Sequence, residues 1–244
     1  MALIDNINAY WKLDESSGNA ADATGNGNTL VATAIQGYVA GIINNGVDLE
    51  VGSSDYMTAA DSVSLSITGD MSISIWFKLE SGVPSNDQYH LFSKGSGGNN
   101  SYRFRIEDEV GQESFRFNYL GSGTETLSRA NATISTGTWH HVVVTVDVSA
   151  SAAGMLYYFD GSVLTTSDTD GTSTDINDTN SNGQLGTYWG AAFGFFDGVL
   201  DECGIWSRIL TSGEVTELYN AGAGLQYPFS GGGGAANHWL LMGA

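Results

Sequence analysis

Residues 71–78 carry the pattern on which the predicted fold rests: Met71-Ser72-Ile73-Ser74-Ile75-Trp76-Phe77-Lys78. Successive side chains of a β-strand point to opposite faces, so this alternation places an apolar row on one side of a strand. The same two-residue period recurs at 102–106, 115–119 and 140–146. Each of these segments is typical of a half-buried antiparallel strand. Weaker patterns predict further strands at 8–13, 46–51, 88–94, 154–160, 183–188 and 197–206.

Turn signals separate these segments throughout the chain. The 244 residues include 33 glycines but two prolines, and Asn-Gly, Asp-Gly and Ser-Gly steps are frequent. About a dozen short strands at this spacing predict an all-β fold, an antiparallel two-sheet jelly-roll sandwich. One segment is helical in character, because Thr211-Ser-Gly-Glu214 forms a capping box before apolar residues at helical spacing. We therefore expect one short C-terminal helix at 212–221.

The charge balance restricts the partners of the protein. Twenty-seven acidic and eight basic residues give a net charge of −19. Such a chain repels nucleic acid, which needs Lys and Arg at its phosphates, and it is repelled by anionic membrane surfaces. Hard cations such as calcium are favoured, because they take oxygen ligands from Asp, Asn and carbonyl groups. No run of 18 apolar residues is present, so we expect no membrane insertion.

The two ends of the chain suggest how the protein is made and displayed. Residues 1–6 lack the basic and apolar segments of a secretory signal, which predicts synthesis in the cytoplasm. Cys203 is the single cysteine, so no intrachain disulfide forms. We divide the chain into a domain at 1–229 and a glycine linker with an apolar tail at 230–244. The candidate partner-docking residues of the tail are Trp239, Leu240, Leu241 and Met242.

Three fates of this tail compete. It folds back on the sandwich, docks into a partner, or stays disordered. Disorder is the least favoured, because burying each large apolar side chain gains roughly 1.5–3 kcal/mol. Docking would attach the domain to other proteins of a virion or similar particle. The domain would then leave the cell by lysis, together with the assembled particle.

Five segments, in order, resemble laminin-G-like domains, which have the concanavalin A-like jelly-roll fold. They are Ala9–Glu15 with Asp22–Asn28, Met71–Lys78, Thr138–Thr145, Tyr158–Gly161, and Phe196–Trp206 with Leu210–Glu214. The resemblance runs from about residue 8 to residue 222. It implies the fold more strongly than the function, because folds of this kind host many activities.

The resemblance also implies a structural calcium ion that ties the first loop to the last strand. Its ligands would be Asp22, Asn28 and Asp201, with backbone oxygens near Gly25 and Asn26. The Gly- and Asn-rich loop supplies flexible carbonyl oxygens of the kind that calcium requires. The alternative is that Asp22 caps a turn and that Asp201 faces solvent.

The candidate ligand-binding residues are Tyr188 and Trp189, which lie in a Gly- and aromatic-rich segment at 188–196. Sugar rings stack on aromatic rings, while Asn and Asp accept hydroxyl hydrogen bonds. The alternative is that these rings fill the sandwich. Arg103, Arg105 and Arg116 lie on outward faces, where they would bind an anion or pair with surface carboxylates.

No catalytic constellation stands out in the sequence. Laminarinase-type hydrolases of this fold carry two glutamates around an aspartate on one strand, and hydrolysis needs two carboxyl groups facing one sugar. Glu107-Asp108-Glu109 is consecutive and precedes Gly111, which indicates a hairpin turn. We therefore expect no enzyme but a surface binding module for a glycan or cell-surface polysaccharide. Such a module would act in adhesion on a particle such as a phage virion. The alternatives are a purely structural decoration protein and, least favoured, a polysaccharide hydrolase.

Overall fold

The computed structural model describes residues 1–35, 37–96, 99–122, 124–188 and 193–229. Within these ranges sixteen strands form two antiparallel sheets, which confirms the predicted all-β sandwich. The strands are β1 (Ile7–Trp11), β2 (Leu30–Thr33), β3 (Gly37–Ala40), β4 (Asn45–Leu49), β5 (Tyr56–Ala59), β6 (Met71–Leu79), β7 (Gln88–Ser96), β8 (Asn99–Glu109), β9 (Gln112–Gly121), β10 (Thr124–Asn131), β11 (His140–Val146), β12 (Met155–Phe159), β13 (Ser162–Val163), β14 (Asp168–Asp170), β15 (Gly183–Leu185) and β16 (Gly198–Trp206).

The order of strands within each sheet shows how distant parts of the chain meet. In the first sheet the order is β13-β12-β11-β6-β16-β4-β3, and β1 also pairs with β16. In the second sheet it is β14-β10-β9-β8-β7-β15-β5-β2. Strand β16 pairs with β4 through its first residues and with β1 through its last. Its pairing with β6 shifts register between Asp201 and Gly204.

The main core lies between the two sheets. The apolar row of β6 enters it from the first sheet, as the alternation at 71–78 predicts. From the second sheet come six side chains of β8 and β9: Tyr102, Phe104, Ile106, Phe115, Phe117 and Tyr119. Each is fully buried, which contributes roughly 1.5–3 kcal/mol per large side chain. Cys203 is also buried there, and burial raises the pKa of its thiol.

A second apolar cluster covers the outer face of the first sheet. It contains Tyr10 and Trp206, whose strand neighbours Trp11 and Ile205 point into the main core. The helix α1 (Ser212–Tyr219) packs on this face. Thr211 and Glu214 form the expected capping box, and the helix ends two residues early because Asn220 turns left-handed, with φ of 48°.

The chain then crosses the same face as a C-terminal strap, which we define as residues 223–229. The ring centroids of Tyr227 and Phe229 lie 5.7 and 5.3 Å from that of Tyr10. Phe229 also stacks on Trp206 at 6.3 Å. The last described residue therefore lies on the outer side of the first sheet. The four predicted partner-docking residues of the tail, at 239–242, lie outside the described residues.

Among the residues that the structure describes, no helix has the length and apolar character needed to cross a bilayer.

Candidate functional site

The outer face of the second sheet is polar, in contrast to the apolar outer face of the first. Arg105 on β8 lies opposite Arg116 on β9, which in turn lies opposite Arg129 on β10. With Arg103, two residues before Arg105, four of the five arginines of the sequence lie on this face. Like charges directly opposite each other destabilise a sheet, so this face needs compensating carboxylates.

Glu107 supplies most of this compensation. Its two oxygens accept hydrogen bonds from Arg116 Nη1 at 3.2 and 3.3 Å. Arg105 Nη2 lies 3.1 Å from Glu107 Oε2, and Arg129 Nη1 lies 3.9 Å from Oε1. Because the Glu107 side chain is 8% exposed, these pairs are shielded from water and from salt.

The ion pairs continue to both sides. Arg103 Nη2 donates to Glu125 Oε1 at 2.6 Å, and Arg129 Nη2 lies 3.0 Å from Asp168 Oδ2. Of the two interpretations of the arginines, the structure shows pairing with carboxylates. The hairpin predicted at 107–111 is also found, but its turn falls on Val110 and Gly111, so Glu107 remains within β8.

A cavity of about 410 Å³, the arginine cavity, opens on this network. Gln88, Arg105, Glu107 and Arg116 are among the residues that line it. Burial lowers the pKa of Arg105 to about 10; the charges of Arg116 and Arg103 act in the same direction and Glu107 opposes them. The guanidinium remains charged at neutral pH, but it already has a carboxylate partner.

A second cavity, of about 440 Å³, lies on the same face, where β5, β15 and β7 meet. We call it the amide cavity, after the side chains that line it: Tyr56, Thr58, Asn180, Ser181, Asn182 and Gln184. Gln184 Nε2 donates to the carbonyl oxygen of Gly95 at 3.0 Å. Both cavities fall within the usual size range of small-molecule sites.

Tyr188, one of the two predicted ligand-binding residues, lies against His90 and Arg103 and is largely covered. It is 7% exposed, its ring stacks on His90 at 5.1 Å, and the Arg103 guanidinium carbon lies 4.6 Å from its ring centroid. Its hydroxyl donates to Asn100 Oδ1. Trp189, predicted with it, lies outside the described residues. Ligand binding by this pair stays a prediction.

His90 is buried beneath Tyr188 by the loop that follows β15. Its backbone amide donates to Gly194 O at 2.9 Å. In the part of the chain that is described, neither ring nitrogen has a hydrogen-bond partner. Burial lowers the pKa of His90 well below its ordinary value, and the charges of Arg105 and Arg103 add to this effect. The imidazole is therefore neutral and acts as a packing surface for the loop.

Two of the three predicted calcium ligands are in contact. Asn28 donates to Asp22 Oδ2 through its backbone and side-chain nitrogens, each at 3.0 Å. Asp22 Oδ1 accepts from Thr24 N at 3.0 Å and Thr24 Oγ1 at 2.7 Å. Asp22 thus caps its own loop, and both its oxygens already accept hydrogen bonds.

Asp201, the third predicted ligand, is bound elsewhere. Its Oδ2 accepts from the amides of Ile42 and Ile43 at 2.9 and 3.1 Å, and its Oδ1 accepts from the amide of Glu202 at 2.8 Å. It is completely buried, so it does not face solvent. In this arrangement the three residues do not fit a shared calcium ion, because the carboxyl oxygens of Asp22 and Asp201 and the amide oxygen of Asn28 all accept hydrogen bonds from N–H or O–H groups. Calcium binding itself stays a prediction.

Elsewhere, Asp48, Glu50 and Glu80 bring carboxylate oxygens within 4.8 Å of one another. Burial raises the pKa of both Asp48 and Glu50. Surface carboxylates often cluster without a bound ion, and we assign no metal to this group.

The family of the chain follows from comparison with known proteins. A family model described as the concanavalin A-like lectin/glucanases superfamily, Laminin_G_3, matches residues 51–216. The chain belongs to this family. Compared with curated protein sequences, it has no significant match.

Solved structures of low sequence identity share the fold. The binding domain of Paraclostridial Mosquitocidal Protein 1 is 18% identical with a TM-score of 0.64, covering 90% of this Laminin_G_3 chain and 53% of that one. A second similar structure is domain 4 of AbnA, a GH43 extracellular arabinanase from Geobacillus stearothermophilus, in complex with arabinotriose. It is 21% identical with a TM-score of 0.59, and the match covers 87% of this chain and 97% of that one. The binding domain of Botulinum Neurotoxin DC in complex with SialylT is 13% identical with a TM-score of 0.58, and the match covers 89% of this chain and 52% of that one. The chain thus spans about half the length of these toxin binding domains.

Proposed function

We propose that this chain is a non-catalytic glycan-binding module that acts in adhesion, displayed on a larger particle such as a phage virion. The observation that carries the proposal is the outer face of the second sheet. This face combines two cavities of about 410 and 440 Å³ with hydroxyl, amide and charged side chains. Sugars are recognised by convergent groups of this kind, which exchange hydrogen bonds with their hydroxyls.

Two of the similar structures support a glycan as the ligand. The AbnA domain was solved with arabinotriose and the neurotoxin domain with SialylT. At 21% and 13% identity these likenesses concern the fold, so they support the ligand class and leave its identity to experiment.

The position of the strap supports display on a particle. Phe229 packs against Tyr10 and Trp206 on the outer face of the first sheet, whereas both cavities open on the outer face of the second. A module tethered through residues 230–244 would therefore present its cavities on the side away from the tether. Docking of Trp239, Leu240, Leu241 and Met242 into a partner protein is the part of the proposal that rests on the sequence alone.

The direct test is binding of the full chain to an immobilised array of neutral and acidic glycans. The truncated chain 1–229 is the matched control, and we expect it to bind the same glycans because the cavities lie in its part of the chain. Incorporation into particles should instead require residues 230–244. Absence of any glycan binding, with incorporation intact, would favour the purely structural decoration protein. Turnover of a bound polysaccharide would overturn the non-catalytic assignment.

A further inference from the structure

The two cavities on the outer face of the second sheet differ in whether their polar groups are already used. In the arginine cavity, Arg105 and Arg116 both pair with Glu107. A ligand entering there would have to break ion pairs that are largely buried, and removing the partner of a buried charge is costly. The charges of this cavity are therefore already paired, and Arg116 Nε, which has no hydrogen-bond partner among the described residues, is buried.

The amide cavity has free capacity. The hydroxyls of Tyr56 and Thr58, both half-buried on β5, have no partner among the residues that the structure describes. Asn180 is exposed and likewise unpaired within the described ranges. Asn182 uses its side-chain oxygen to accept from the amide of Asp61 at 3.3 Å, which leaves its amide nitrogen to donate. These groups include both donors and acceptors, as a sugar hydroxyl requires.

The charges around the amide cavity select against an anion. The described residues that line it are all uncharged. Just outside it, Asp61 and Asp178 share one cation, Lys94 Nζ, at 2.7 and 3.8 Å. The chain as a whole carries a net charge of −19. An acidic sugar would therefore lose hydration and meet a negative potential, with no cation in the cavity to compensate.

We propose that the amide cavity is the primary glycan subsite and that it takes an uncharged sugar unit, while the arginine cavity is a structural ion-pair network. This inference rests on the proposed glycan-binding function. It adds the location of the subsite and the chemical class of the ligand. Tyr56 gives the subsite an aromatic ring, which is braced by Phe195 at a centroid distance of 6.3 Å.

The test uses the full chain and matched neutral and acidic probes. The array carries lactose beside sialyllactose, a neutral galactan trisaccharide beside trigalacturonate, and arabinotriose. The strongest neutral probe is then titrated calorimetrically against Thr58→Val, Asn180→Ala and Tyr56→Ala. We expect binding of neutral probes, and a loss of about two- to twelvefold in affinity for each hydroxyl or amide removed, since one hydrogen bond contributes roughly 0.5–1.5 kcal/mol.

Two further variants make the result specific. Thr165→Val removes a hydroxyl from an exposed loop residue and should leave the affinity unchanged. Gln88→Ala alters the arginine cavity without breaking an ion pair and should also leave it unchanged. Exclusive binding of acidic probes, or a loss of affinity in Gln88→Ala but not in Thr58→Val, would overturn the subsite while leaving glycan binding intact. Failure to bind any probe would overturn both proposals.

Discussion

Two adjacent buried carboxyl groups on β16 should make the protein less stable as the pH rises. Burial raises the pKa of Asp201 to about 9, and the charge of Glu202 adds to this. Burial also raises the pKa of Glu202 to about 7, although hydrogen bonds from Tyr10 and Gln226 act in the opposite direction. Gln226 Nε2 donates to Glu202 Oε1 and to Asp14 Oδ2, each at 2.7 Å, which ties the C-terminal strap to these acids.

The size of the effect follows from the pKa of Glu202 in the folded and unfolded chain. In the folded chain it is about 7, against an ordinary value of 4.5. The folded state therefore binds more protons between these values, and stability falls as the pH rises through this window. A difference of about 2.5 pH units corresponds to about 3 kcal/mol, fully lost above pH 7. Asp201 continues the decline towards pH 9.

The variant Glu202→Gln removes this titration while keeping the side-chain shape. Its amide can donate to the Tyr10 hydroxyl oxygen and accept from Gln226, so both contacts persist. The stability of the variant relative to the natural chain should therefore increase by about 3 kcal/mol between pH 4 and pH 8. For a chain of this size that is a gain of roughly 6–12 °C in relative Tm.

Thermal unfolding, measured by circular dichroism from pH 4 to pH 9, gives the comparison. Asp170→Asn is the control, because Asp170 is exposed and its carboxylate accepts one hydrogen bond, from the amide of Gly171. Its Tm should run parallel to that of the natural chain. If the Glu202→Gln difference varies by less than about 1 kcal/mol over this range, the carboxyl group is not held protonated by burial and the reasoning fails.

Three further outcomes follow from the structure. Glu107→Gln leaves Arg105 and Arg116 without their shared carboxylate and should lower the free energy of unfolding in urea by about 3–5 kcal/mol. Glu125→Gln removes the 45% exposed partner of Arg103 and should lower it by about 1 kcal/mol or less. Equal losses in the two variants would show that Glu107 is not the centre of the network. Gly194→Ala would bring a Cβ within 2.4 Å of His90 Cδ2 and should therefore lower Tm more than Gly137→Ala. Gly137 has a similar left-handed φ of 71°, but a Cβ added there has no atom within 4 Å. An equal loss of Tm in both variants would trace the effect to backbone strain alone. If calcium is bound by Asp22, Asn28 and Asp201, a chelator should lower the Tm of the natural chain and leave the Tm of Asp22→Asn unchanged. An unchanged Tm in the natural chain would contradict the predicted calcium site.

The strands that the sequence predicts well are those with one buried face. The segments at 71–78, 102–106, 115–119 and 140–146 all fall within strands, because their alternation reflects the main core directly. Strands β2, β5 and β10 were not predicted although they have buried residues; in β10 these are the small or polar Thr126, Ser128 and Ala130. Strands β3, β13 and β14 were not predicted either: β3 has no buried residue, and β13 and β14 are fully exposed. Such strands are defined by backbone hydrogen bonds to a neighbour, which leave no apolar row in the sequence.

The candidate sites were less predictable because they depend on contacts between distant segments. The alternation placed Arg103, Arg105 and Arg116 outward correctly, but only the cross-strand register shows that Glu107 lies between two of them. For Tyr188, the cover provided by His90 and Arg103 comes from strands β7 and β8, about a hundred residues away. No local pattern in the sequence carries that information.

The amide cavity was missed for a related reason. Tyr56 and Thr58 come from β5, Gln184 from β15, and Asn180 and Asn182 from the preceding loop. The only local signals are two outward residues on a short strand and a run of amide side chains that also suits a solvated turn.

The contrast between the outer faces of the two sheets is the reason we place the proposed binding on one of them. A sheet face that is exposed to water must be polar, covered, or used for binding. The outer face of the first sheet is covered: α1 and the C-terminal strap bury Tyr10 and Trp206, and the last described residue lies there. Among the described residues no helix or strap covers β5 of the second sheet, where the half-buried Tyr56 and Thr58 line an open cavity. A ligand that supplies hydroxyl groups can satisfy these positions without displacing any packed element, which is the property that a rigid binding surface needs.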